Sequence, residues 1–220
     1  SRPGPQHGAD ADPAVGEELQ QVRVGVRDPL DPHPRLRRHL SQRDGVRPGD
    51  LSVPTSSGGK AVTYGYTGPV YFTGEEGSDE SRAFAMDNQG NMVQLPALGL
   101  AAWENFLVAP KTGKRTVVMG NEDGSATDSQ LWMYVGEKGT EGNWAQKAGL
   151  TNGSLYVMSI NGIANDTAFR ASNGKNVASV VSFQPIDWKL NGVAQNAAAR
   201  SLGMEMARVE DGAFDPNNPN

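Results

Sequence analysis

The chain has no cysteine among its 220 residues. That excludes disulfides, thiolate metal ligands and cysteine nucleophiles, and leaves the compartment open. Histidine is almost as scarce. His7, His33 and His39 are the only three, all within the first 59 residues, so no histidine triad or histidine general base is available after Gly59. Apolar residues make up 37% and mean hydropathy is -0.52. No apolar run approaches the roughly 20 residues of a membrane-spanning helix. A phosphate-binding Gly-x-x-x-x-Gly-Lys-Ser/Thr loop is missing, which argues against nucleotide phosphotransfer of that class. The net charge of -5 gives no general basic footprint for nucleic acid. The N-terminus lacks the charged-then-apolar pattern of a secretory leader.

Aromatic residues are missing from one part of the chain only. Residues 1–59 contain no aromatic, Ile, Met or Lys, but hold eight Arg, eight Pro and eight acidic residues. Such a segment buries too little surface to offset its ordering entropy, so disorder is the expectation. The composition also resembles a GC-rich reading frame translated out of register, and both readings of 1–59 stand. Arg35-Leu-Arg-Arg-His39 is a local basic cluster, but acidic residues flank it on both sides and weaken its reading as a phosphate patch. Ser56-Ser-Gly-Gly59 reads as a flexible linker, with the folded part, residues 60–220, starting at Lys60.

Beyond Lys60 the chain is rich in glycine turns and short β-branched or aromatic runs. Val62, Tyr64 and Tyr66 alternate. Val70–Thr73, Ala83–Met86, Leu131–Val135, Leu155–Ile160 and Val177–Phe183 read as further strands. Asn196–Leu202 is the one helix-like stretch, with Gly203 after it. Pro185–Trp188 reads as a connection, and Met204–Asp211 as an exposed run. Eight or nine short strands at roughly ten- to twenty-residue spacing predict an all-β domain, a sandwich or propeller blades. Trp103, Trp132, Trp144 and Trp188 are read as core or blade-interface residues before a stacking platform.

The organising stretch is Trp103 to Asp123. Phe106–Val108 and Arg115–Met119 read as two strands joined by a Pro110-Lys-Thr-Gly113 turn. A hairpin returns its ends to one edge, so Glu104 and Asp123 are expected there together, as convergent oxygens for a hard cation or as solvated loop carboxylates. The loop after Asp123 fails as an EF-hand, because alignment on Gly124 puts Met119 and Gln130 where acidic ligands are needed.

Residues 62–216 resemble the PhoX-like alkaline phosphatase family of bacteria. The resemblance rests on Val70-Tyr-Phe-Thr-Gly-Glu-Glu76, Trp103-Glu-Asn with Pro110-Lys-Thr-Gly113 and Glu122-Asp-Gly124, Gln130-Leu-Trp-Met-Tyr-Val135, and Met206-Ala-Arg-Val-Glu-Asp-Gly212 with Asp215-Pro216. It implies an incomplete β-propeller of antiparallel blades and a metal centre hydrolysing small phosphate monoesters in the periplasm or outside the cell. It further implies Glu104, Asp123, Glu210 and Glu76 as metal ligands, with Glu75 beside Glu76, and Arg208 as the phosphate-binding group. The implied centre is a cluster of iron and calcium, of which an all-oxygen calcium site suits the carboxylates present. Iron lacks its thiolate, because Gly74 stands where the family has its iron-ligating cysteine. A non-catalytic propeller that binds calcium or a partner is the alternative.

Overall fold

Gly58 and Gly59 carry positive φ of 57° and 78°. That is what a two-residue hairpin turn requires of its central pair. They join strand β1 (Ser52–Ser57) to β2 (Lys60–Gly65), with Ser57 opposite Lys60. The stretch expected to be a linker is therefore strand and turn, and the sheet begins at Ser52. Leu51, just before it, is buried in the core. The computed structural model describes residues 50–125, 128–173 and 178–215; the expectations for 1–49 and Val177 lie outside them.

A three-stranded antiparallel sheet follows, formed by β3 (Val70–Gly74), β4 (Ala83–Asp87) and β5 (Met92–Gln94). The larger sheet is an antiparallel meander of five strands, β6 (Trp103–Val108), β7 (Arg115–Glu122), β8 (Leu131–Glu137), β9 (Ser154–Ser159) and β10 (Ser182–Ile186). The fold is thus mainly β and antiparallel. Both faces of the meander are covered, which explains why β7 to β9 read as nearly unbroken apolar runs. One face gives Phe106, Val118, Trp132, Tyr134 and Leu155 to the main core, with Trp103. The other gives Met119, Leu131, Met133 and Met158 to a methionine-rich cluster completed by Met204 and Met206.

Among the described residues four helical pieces interrupt the strands. Pro96–Leu98 is a single 3-10 turn. Helix α1 (Trp144–Lys147) starts in a capping box: Asn143 accepts from the Gln146 backbone, and the Gln146 side chain accepts from the Asn143 backbone. Helix α2 (Asp166–Asn173) starts with Asn165 Oδ1 accepting from Ala168 N at 2.9 Å. Helix α3 (Gly192–Leu202) is capped by Asn191 and starts four residues earlier than expected. Gly203 ends it with φ -102°, so its role is close approach and not a left-handed cap: a Cβ there meets Val157 Cγ2 at 2.7 Å. The last expected strand lies at Ser182–Ile186 and includes Pro185, tolerated because β10 is an edge strand. The run from Met204 is only partly exposed, since Met204 and Met206 are buried.

Candidate functional site

Glu104 owes its position to a β-bulge. Trp103 pairs with Glu122 and Asn105 with Asn121, so Glu104 is the extra residue of β6. Asp123 leaves the end of β7, and its N–H donates to the Ala102 carbonyl at 2.9 Å. The hairpin therefore brings Glu104 and Asp123 to one edge, as its ends require. Glu76 joins them because the end of β3 docks beside β6: Trp103 N–H donates to the Glu75 carbonyl at 3.0 Å.

The C-terminal segment supplies the rest. Met206 N–H donates to the Ser129 carbonyl at 2.7 Å, and Met204 and Met206 sink into the methionine-rich cluster. Asn121 Nδ2 donates to the Glu210 carbonyl at 3.0 Å, tying the segment to β7. Between these anchors Arg208 has φ 52°, a left-handed conformation unusual for a residue with a Cβ. Its guanidinium forks onto Asp123, Nε to Oδ1 at 2.8 Å and Nη2 to Oδ2 at 2.7 Å, and Nη2 lies 3.5 Å from Glu210 Oε1.

The site is strongly negative. Partial burial pushes the Glu104 carboxyl up, and the charges of Glu76, Asp123, Glu210 and Asp211 push it further. Glu104 thus lies within the field of the other three carboxylates expected as ligands and of Asp211, and Glu104, Asp123 and Glu210 act on Arg208. Glu75 turns elsewhere: Arg82 holds it in a two-pronged pair at 2.9 and 2.6 Å and keeps its carboxyl below the usual range. Among the described residues no three of His, Cys, Asp and Glu close into a metal-holding group.

Gly74 bears on the metal. A Cβ at this position would stand 2.2 Å from Trp103 Cβ and 3.2 Å from Phe106 Cε2. A Cβ at Gly120 would stand 2.6 Å from Cζ3 of the same indole. Trp103 thus packs closely on both glycines, and a cysteine at position 74 would have to displace it. An iron centre ligated there does not fit this chain. The oxygen donors of Glu76, Glu104, Asp123 and Glu210 do fit the chemistry of calcium. Trp103 and Trp132 are buried, 6.0 Å apart edge to face, while Trp144 and Trp188 pack against the same core. The tryptophans are core residues.

Sequence reading passed over Glu122 and Lys138. Glu122 is buried behind Trp132, whose Nε1 donates to Oε2 at 2.9 Å, and desolvation pushes its carboxyl up to about 8. Lys138 is 2% exposed and donates to Thr112 Oγ1 at 3.3 Å, to the Gly113 carbonyl at 3.1 Å and to the Arg115 carbonyl; burial lowers its ammonium to about 8. Strand alternation was the available signal for Glu122, because its neighbour Asp123 faces the other way. Compared with protein-family models, curated proteins and solved structures, the chain has no match.

Proposed function

We propose that this chain is part of a PhoX-like, metal-dependent phosphatase built on a β-propeller, hydrolysing small phosphate monoesters in the periplasm or outside the cell. One observation carries the reading: Glu104, Asp123 and Glu210, from separate parts of the chain, all act on Arg208, and Glu76 acts on Glu104. The carboxylates are the residues that would hold calcium, and a bound divalent ion supplies polarisation of the phosphoryl oxygen. Arg208 offers a planar two-pronged donor set matched to two phosphate oxygens. That fork is taken by Asp123, so phosphate binding requires Arg208 to exchange one carboxylate for the substrate. No step involves iron. Among the described residues no helix is long and apolar enough to cross a membrane.

The second reading is a non-catalytic protein that binds calcium or a partner. The two-pronged Arg208–Asp123 pair favours it, because this pair closes the phosphate fork and occupies a metal ligand together. Hydrolysis of p-nitrophenyl phosphate by the purified chain with added calcium separates the two. Turnover that disappears in both Glu104→Gln and Arg208→Ala supports the phosphatase. A folded chain that binds calcium without turnover rejects it in favour of the second reading.

A further inference from the structure

An asparagine followed by glycine can rearrange by itself, because the glycine amide nitrogen approaches the asparagine Cγ with no side chain in its way. The chain has four such pairs, starting at Asn152, Asn161, Asn173 and Asn191. Gly174, the second member of the third pair, lies outside the described residues. The fold treats the other three differently.

Two of them are locked. Asn152 Oδ1 accepts from the Glu137 N–H at 3.1 Å, and its Nδ2 donates to the Glu137 carbonyl at 3.0 Å. The attacking atom is engaged as well, since Gly153 N–H donates to Tyr134 Oη at 2.9 Å. Asn191 Oδ1 caps α3 by accepting from Ala194 N–H at 2.9 Å, and Gly192 is buried closely against the Asp79 carbonyl.

Asn161 and Gly162 are open. They are the central residues of a turn closed by Ile163 N–H, which donates to the Ile160 carbonyl at 3.0 Å. Gly162 has φ 75°, and a Cβ there would meet nothing within 4 Å. Both residues are exposed. Among the described residues neither the Asn161 side chain nor the Gly162 N–H has a hydrogen-bond partner. The turn also has structural work. Ile160 and Ile163 pack on the methionine-rich cluster. Directly after it, the Ala164 carbonyl accepts from Glu205 N–H at 2.9 Å, and Asp166 N–H donates to the Glu205 carbonyl at 3.1 Å. The turn therefore borders the anchor of the C-terminal segment.

We propose that Asn161–Gly162 is a self-modifying site of the folded protein. The Gly162 amide nitrogen gives up its proton and bonds to Asn161 Cγ. The Cγ–Nδ2 bond breaks, and the side-chain nitrogen leaves as ammonia with that proton. Water then opens the succinimide at either carbonyl and leaves aspartate or isoaspartate at position 161. Isoaspartate routes the backbone through the former side chain and adds a methylene to the turn. The Ile163–Ile160 bond and the seats of both isoleucines then compete, which loosens the anchor at residues 204–206. None of this depends on the cluster around Arg208 or on catalytic activity.

Peptide mapping by mass spectrometry tests the site, on folded full-length chain held in mildly alkaline buffer beside a urea-unfolded sample. In the folded chain Asn161 is expected to convert from amide to acid roughly tenfold or more faster than Asn152 and Asn191, which react only through local opening. In urea the three rates should converge. An isoaspartate-specific carboxyl methyltransferase should label the peptide that carries position 161. An Asn161 that keeps its amide, or similar rates at the three positions in the folded chain, overturns the proposal. The isoaspartyl form, separated by its added charge, is then melted beside freshly prepared Asn161→Asp, which has the charge without the extra methylene. A lower midpoint for the isoaspartyl form is expected; equal midpoints overturn the loosening of the anchor.

Discussion

Replacing Glu122 by Gln should stabilise the protein, by an amount that grows with pH. Burial raises this carboxyl from 4.5 to about 8. The folded chain therefore keeps a proton that the unfolded chain has lost across that window. Stability falls with pH wherever the native state binds more protons, so the penalty is absent below about pH 4.5, grows towards about pH 8 and is constant above it. Each pKa unit is worth about 1.4 kcal/mol, which makes the loss about 3 kcal/mol between about pH 5 and about pH 7.5. The side chain introduced by Glu122→Gln titrates nowhere, and its amide oxygen can still accept from Trp132 and Gln130. The variant should match the parent within about 1 kcal/mol at pH 5 and exceed it by about 3 kcal/mol at pH 7.5, a difference of roughly 6–12 °C in melting midpoint.

Two other groups bear on the window. Lys138 changes charge mainly above about pH 8, because its folded value is about 8 and its ordinary value is 10.5. All three histidines lie at or before residue 39, and a chain lacking residues 1–49 removes them from the comparison. The assay is thermal and urea unfolding of both proteins in chelator at five or six pH values. Parallel stability profiles for parent and variant would refute the reasoning, because they would mean that Glu122 ionises as readily folded as unfolded.

Gly74→Cys should cost roughly 1–3 kcal/mol or more, since the new Cβ has to displace Trp103, and it should not bring iron into the protein. Melting curves and elemental analysis after iron loading check both parts; stoichiometric iron in a stable variant would show that the site can open. Lys138→Met should destabilise the chain by about 1–3 kcal/mol near pH 6, because the Gly113 and Arg115 carbonyls lose their shared donor. With its folded value below its unfolded one, the parent lysine also gains stability as pH rises from about 8 towards 10.5, and urea midpoints of Lys138→Met should lack that rise.

What was legible in the sequence was local. A turn with Pro110 and Gly113 between two β-branched runs specifies a hairpin, and a hairpin must return Glu104 and Asp123 to one edge. The helices were legible too, but in their caps and not in their apolar period: Asn143 with Gln146, and Asn191 ahead of Ala194, mark starts that a search for amphipathic runs passes over. Arg208 illustrates the limit. Its placement depends on Met204 and Met206 reaching a hydrophobic cluster assembled from β7, β8 and β9, a long-range event that residues 204–211 do not encode by themselves. Glu122 and Asp123 show the same limit within a single dipeptide. Alternation sends one side chain to the exposed cluster and the other against Trp132, yet only the packing of the main core decides that the second face is dry. Gly74 reverses the direction of inference. Through the family resemblance alone it stands at a ligand position. In the fold, Trp103 lies against both Gly74 and Gly120, so a cysteine at 74 would have to repack the indole that anchors the start of β6, beside Glu104 itself. The glycine at 74 and the packing of the main core are therefore one structural feature.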